Sequence, residues 1–108
     1  MRKIQMKIAR RDNEAETRTA YVIPEKLFGY WFAVTRDDNT DYGVRSYKWS
    51  VSQIDSGRLV GMHYETRMKA VNSFINEMEG MRVMNGEEKM ERTIRRGINK
   101  AGIINIVK

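Results

Sequence analysis

Polar and apolar residues alternate over 3–8, so Ile4, Met6 and Ile8 fall on one side of an extended chain and Lys3, Gln5 and Lys7 on the other. That period predicts a half-exposed strand. Residues 10–18 are charged and carry no period, which reads as a loop. A second short strand is expected over 19–23, ended by Pro24, the only proline, which cannot donate to a ladder. The aromatic and β-branched run 29–35 predicts a central strand, with Tyr30, Phe32 and Val34 facing one way and Trp31 and Ala33 the other. Asp37, Asp38, Asn39 and Asp41 before Gly43 favour a turn over 36–43. In 44–54, Tyr47, Trp49 and Val51 make a core face, and Ser46, Lys48, Ser50 and Ser52 a wet one. Asp55, Ser56 and Gly57 supply a three-residue hairpin loop, and 58–62 returns as a fifth strand.

The period then becomes helical. Thr66 reads as an N-cap, Val71, Phe74, Ile75 and Met78 form an apolar stripe, and Gly80 reads as the stop. Asn85 and Glu88 have capping-box spacing for a second helix. In it Glu87, Glu88 and Glu91 lie at the positive end, and Arg95, Arg96 and Lys100 toward the negative end. Met90, Ile94, Ile98 and Ala101 form its apolar stripe, Gly102 closes it, and the β-rich residues 103–108 suggest a terminal strand. The fold expected is α+β, an antiparallel sheet of about five to six strands packed on one face by two helices, in a single domain over 1–108.

Composition adds a charge and removes some chemistry. Absence of cysteine excludes disulfides, thiolate catalysis and thiolate metal sites, and suits a reducing compartment. With neither a signal-like apolar run nor a membrane-length segment, the expectation is a cytoplasmic protein without membrane contact. The formal charge is +6, from eight positive and four negative side chains over 1–36, three and four over 37–63, and nine and six over 64–108. The positive excess lies toward the two ends, which favours acidic partners.

Few residue sets could carry catalysis. His63 is the only histidine and has no nucleophile motif beside it. Asp37, Asn39 and Asp41 match the first ligand positions of a calcium loop, but Tyr42 and Lys48 stand where that loop needs glycine and glutamate. Glu87 and Glu88 point about 100° apart on a helix and do not form a catalytic pair. The glycines match no phosphate-binding spacing. The expectation is therefore a non-enzyme with no catalytic, cofactor or metal site. Trp49 reads as core, while Trp31 is harder to place there, because Tyr30, Trp31 and Phe32 cannot all face the same side of a strand.

The second helix is the suggestive element. Lys89, Arg92, Arg96 and Lys100 fall within an arc of about 80°, apart from the arc of Met90, Ile94, Gly97, Ile98 and Ala101. The competing reading is a solvated face neutralised by Glu88 to Arg92 and Glu91 to Arg95 pairs. Lys3, Lys7, Arg10 and Arg11 form a second basic group. A copy of the chain could also pair through an exposed edge strand.

Lys48-Trp49-Ser50-Val51-Ser52-Gln53-Ile54-Asp55-Ser56-Gly57, followed by Thr66-Arg67-Met68-Lys69-Ala70, resembles a pattern in small accessory proteins of bacteriophages and mobile elements. There the strand reads approximately Trp-x-Val-Thr-His-x-x-Thr-Gly before a Thr-x-x-x-Ala helix start; here Gln53 stands at the histidine and Ser56 at the threonine. The likeness covers about a quarter of the chain. It implies a binding protein that covers a surface of a nucleic-acid-handling host partner, an inhibitor of a CRISPR-type nuclease in its sharpest form. The alternative is direct binding of DNA or RNA through the basic helix face and the amino-terminal lysines and arginines.

Overall fold

The computed structural model describes residues 1–9, 15–39 and 46–106, without the side chains of 37–39, 46–48, 62 and 63. Arg10, Arg11, Asp41, Gly43 and residues 107–108 lie outside the described residues. The described chain runs β1 (Lys3–Ala9), β2 (Ala15–Val22), β3 (Phe32–Asn39), β4 (Ser46–Gln53), β5 (Leu59–Tyr64), α1 (Arg67–Asn85) and α2 (Glu87–Ala101). The strands form one antiparallel meander in chain order, with β3 in the centre and both helices packed against the sheet. The expected α+β architecture is thus present.

Each sheet face carries its own core. On one, Phe32, Val34 and Val51 meet Ala70, Val71, Phe74 and Met78 of α1 and Met90 of α2. Phe32 and Phe74 anchor this layer with ring centroids 5.2 Å apart. On the other face Met6 and Ile8 pack with Ala20, Val22, Ala33 and Ile54, and Trp31 borders them. The alternation in β3 therefore holds, but the serine face of β4 is a correction. Ser50 and Ser52 are 1 % and 0 % exposed, because the sheet curls until β1 approaches the β4–β5 turn and covers that side.

The closure is specific. Ala9 N–H donates to Gly57 C=O at 2.9 Å. The Asn105 side chain accepts from Lys7 N–H at 2.8 Å and donates to Lys7 C=O at 2.8 Å and to Ile54 C=O at 2.7 Å. Ile104 N–H donates to Asp55 C=O at 2.8 Å. Residues 102–106 are consequently not a strand: the segment is tied down by one side-chain amide and by the Asp55 carbonyl rather than by a backbone ladder.

Other boundaries differ from the sequence reading for local reasons. β2 begins at Ala15, since β1 pairs with it from Lys3↔Tyr21 to Ala9↔Ala15, and Glu16 and Arg18 form an ion pair at 3.1 Å within it. β3 starts at Phe32, after Leu27 and Tyr30 close a tight turn through Phe28 (φ 55°) and Gly29 (φ 88°). It runs on to Asn39 because β4 continues to pair with it as far as Asn39↔Ser46. Gln53 N–H donates to Arg58 C=O, so four residues, 54–57, make the next turn. Gly80 lies within α1, and Gly86, at φ 84° and ψ 154°, ends it, a conformation essentially reserved for glycine. Gly86 also caps α2, while Asn85 donates back to Met81 C=O and forms no capping box. Thr66 caps α1 as expected, its hydroxyl accepting from Lys69 N–H at 3.1 Å. Ala101 is exposed, whereas Met90 and Ile98 are buried.

Gly57 has a positive φ of 67°, and a Cβ there would lie 2.5 Å from the Lys7 carbonyl oxygen. Backbone cannot swing aside as a side chain does. Gly57→Ala is therefore expected to cost about 3 kcal/mol, from left-handed strain plus overpacking, read as a lowered urea midpoint with an unchanged slope.

Candidate functional site

The geometry of α2 begins at the tight turn before β3. Leu27 N–H donates to Tyr30 C=O at 2.9 Å and Tyr30 N–H returns to Leu27 C=O at 3.1 Å, with both intervening residues at positive φ, as in a two-residue hairpin turn. This presents the Tyr30 hydroxyl to α2, where it donates to Glu91 Oε1 at 2.8 Å. Glu91 Oε2 lies 3.7 Å from Arg95 Nη1. Partial burial, and then acceptance of its proton's hydrogen bond by Glu91, raise the Tyr30 hydroxyl above its ordinary value of 10.0. Phe28 borders a shallow cleft with Glu87, Glu88, Glu91 and Arg92.

With Glu91, Met90 and Ile98 turned toward the body of the protein, the opposite arc of α2 faces water. Lys89, Arg92, Arg96 and Lys100 are all exposed, and none has an ion-pair partner among the described residues. Of the two neutralising pairs that the spacing allows, Glu91 with Arg95 forms and Glu88 with Arg92 does not. The ridge from position 89 to 100 is about 16 Å long at the helical rise. Lys3 and Lys7 are exposed on β1. The segment after α2 joins the two groups: Asn105, bonded to Lys7, follows Lys100 by five residues, a reach of at most roughly 17 Å. Arg10 and Arg11 lie outside the described residues.

The remaining candidates do not converge on a site. His63 belongs to β5, and its side chain is outside the description. Asp37 and Asn39 lie in β3, paired with Lys48 and Ser46, so a strand occupies the start of the calcium-loop spacing; Asp41 is outside the described residues. Among the described residues no group of three or more His, Asp or Glu could hold a metal ion, and no helix is long and apolar enough to cross a membrane. Trp49 packs against the helix-side core with Tyr21 at 6.1 Å, and Trp31 takes the other face, with Lys26 Nζ 5.6 Å from its ring.

Two functional details were missed by sequence reasoning. The Tyr30 to Glu91 bond joins residues 61 positions apart, and no local signal announces it. The bridge made by Asn105 is equally remote, although a lone polar residue within 103–107, otherwise apolar, is a faint clue. The block over 48–57 acquires a local explanation: Gln53 Oε1 accepts from both Ser56 N–H and Ser56 Oγ at 2.9 Å, stapling the turn that ends in Gly57. Comparison with protein-family models, with curated proteins and with solved structures found no match to this chain.

Tyr64 is also raised above 10.0, by burial first and then by Glu77, whose carboxylate accepts from its hydroxyl at 3.2 Å. Both tyrosines keep their protons longer folded than unfolded. Their stabilisation is thus fully present below about pH 10 and is lost as pH rises through the folded-state values. A Tyr30→Phe, Tyr64→Phe variant should lose stability less steeply than the parent between pH 9 and 11, measured by urea midpoints.

Proposed function

We propose that this chain is a non-catalytic binding protein of the phage accessory kind, acting in the host cytoplasm. Its α2 ridge covers an acidic surface of a host protein that handles nucleic acid, and obstruction of a CRISPR-type nuclease is the sharpest form of that reading. One observation carries it: Lys89, Arg92, Arg96 and Lys100 share an exposed face and are not neutralised among the described residues. A face that served only to solvate the helix would do as well with the Glu88 to Arg92 pair closed. Four unpaired cations in a row instead leave their attraction available to a partner, for which charge complementarity speeds encounter and excludes wrong surfaces.

A second reading, direct binding of DNA or RNA, draws on the tether that holds Lys7 within reach of Lys100. Nucleic acid would then meet a basic surface extending from α2 to β1. The two readings differ in their dependence on salt and on nuclease.

In a pull-down from host lysate treated with nuclease, the tagged protein should retain a protein partner, and an Arg92→Glu, Arg96→Glu variant should lose it. Direct binding predicts instead a gel shift with generic oligonucleotides, whose affinity falls with a log–log salt slope of roughly −3.6 for four phosphate contacts. Loss of all captured partners on nuclease treatment, together with that shift, would reject the protein-surface reading.

A further inference from the structure

One side of the α2 ridge drops into a cleft. It holds about 210 Å³, is floored by Phe32, Ile94 and Ile98, and opens between β5 and α2. Leu59 and Val60 form its strand wall and are 40 % and 47 % exposed. Neighbours in a regular strand face opposite ways, but the register slips between Ser52↔Leu59 and Val51↔Gly61, and both side chains border the cleft. Gln53 and Ser56 border it as well, yet the Gln53 amide oxygen is spent on Ser56 and its Nε2 on Asp55 at 2.6 Å. What the cleft offers an occupant is chiefly apolar.

Thr93 and Gly97 make the helix wall. Each stands three or four residues from ridge cations, Thr93 from Lys89 and Arg96 and Gly97 from Lys100, so wall and ridge are neighbours on the helix surface. Glycine is a poor helix former, and nothing in the packing demands it here. Outside its own helix backbone, a Cβ at 97 would meet only Arg58 Nη1, at 4.0 Å, among the described residues. The missing side chain keeps the cleft open. The same distance sets the Arg58 guanidinium beside α2. Arg58 is exposed and, like the ridge residues, has no ion-pair partner among the described residues.

Size and charge select the occupant. At about 210 Å³ the cleft falls below the range of small-molecule sites, roughly 300–1,000 Å³, and suits a single apolar side chain of the kind that anchors a protein interface. Cations on both sides call for acidic residues flanking that anchor. We propose that the cleft is the anchor pocket of the ridge: it takes one apolar side chain of an acidic segment of the partner protein, whose carboxylates meet Arg58 on the strand side and Lys100 on the helix side. This rests on the protein-surface reading of α2, and adds to it what distinguishes the partner from any other acidic surface.

The probe is fluorescein-labelled Gly-Asp-Glu-Leu-Glu-Asp-Gly, followed by polarisation, with Gly-Asp-Glu-Ser-Glu-Asp-Gly as its counterpart. The leucine peptide should bind the parent about tenfold more tightly than the serine peptide, as burial of one such side chain allows. Gly97→Leu fills the cleft from the helix wall, at a position that favours a helix former, and should erase that preference while both peptides still bind. Leu59→Ser, Val60→Ser should erase it too, and decides the matter if Gly97→Leu does not fold. Arg58→Glu, Lys100→Glu should lose both peptides. Equal affinity of the parent for the two peptides, a preference that survives filling of the cleft, or binding indifferent to Arg58→Glu, Lys100→Glu would overturn the proposal. So would the absence of saturable binding by the folded parent up to about 1 mM. In the nuclease-treated pull-down Gly97→Leu should lose the partner. Its retention there, alongside its loss from Arg92→Glu, Arg96→Glu, would remove the cleft and leave the ridge reading standing.

Discussion

The arrangement depends on the place where the β4–β5 turn meets β1. A five-stranded meander with helices on one face leaves the other face wet unless something covers it, and here the sheet covers itself by curling. The contact needs a residue without a side chain at 57, because the Lys7 carbonyl lies where a Cβ would be. It also needs a planar group that donates twice and accepts once, which the Asn105 amide provides. Burial of Met6, Ile8 and Ile54, and of Ser50 and Ser52, follows from that approach. Ser52 Oγ has no hydrogen-bond partner among the described residues, an unfavourable term of order 1–3 kcal/mol that the apolar layer around it must outweigh.

The helix side obeys a different logic. α1 supplies bulk, through Ala70, Val71, Phe74 and Met78, whereas α2 buries little beyond Met90 and Ile98. Its rotation about its own axis is set by that narrow stripe and by the Tyr30 to Glu91 bond. Glu91 also attends to Arg95, so the carboxylate that orients the helix is not available to the ridge cations. The constraint that fixes α2 is thus what keeps its basic arc outward and uncompensated.

Much of this was legible in the chain. Alternation at Ile4, Met6 and Ile8, and at Phe32, Ala33 and Val34, assigned faces correctly because a period of two survives whatever the tertiary context. Thr66 and Gly102 marked helix ends because caps are local chemistry. The failures are non-local. Polar Ser50 and Ser52 look wet until a remote strand covers them, and the charged residues of β2 look like a loop until β1 pairs with them. Gly80 misled because a glycine stops a helix only by leaving it at positive φ, and Gly86 does that six residues later. The basic arc of α2 was readable from angles alone; that Arg92 stays unpaired while Arg95 does not was not.

The bond between Lys7 and Asn105 spans 98 positions. A ribosome releasing this chain from its beginning has made all five strands and both helices before the residue that fastens the first of them appears. The bonds that draw the two margins of the inner layer together thus close a loop of nearly the whole described chain, and the entropic cost of such a closure grows only slowly with its length. The sheet's curvature is therefore a property of contacts between distant parts of the chain rather than of any strand within it.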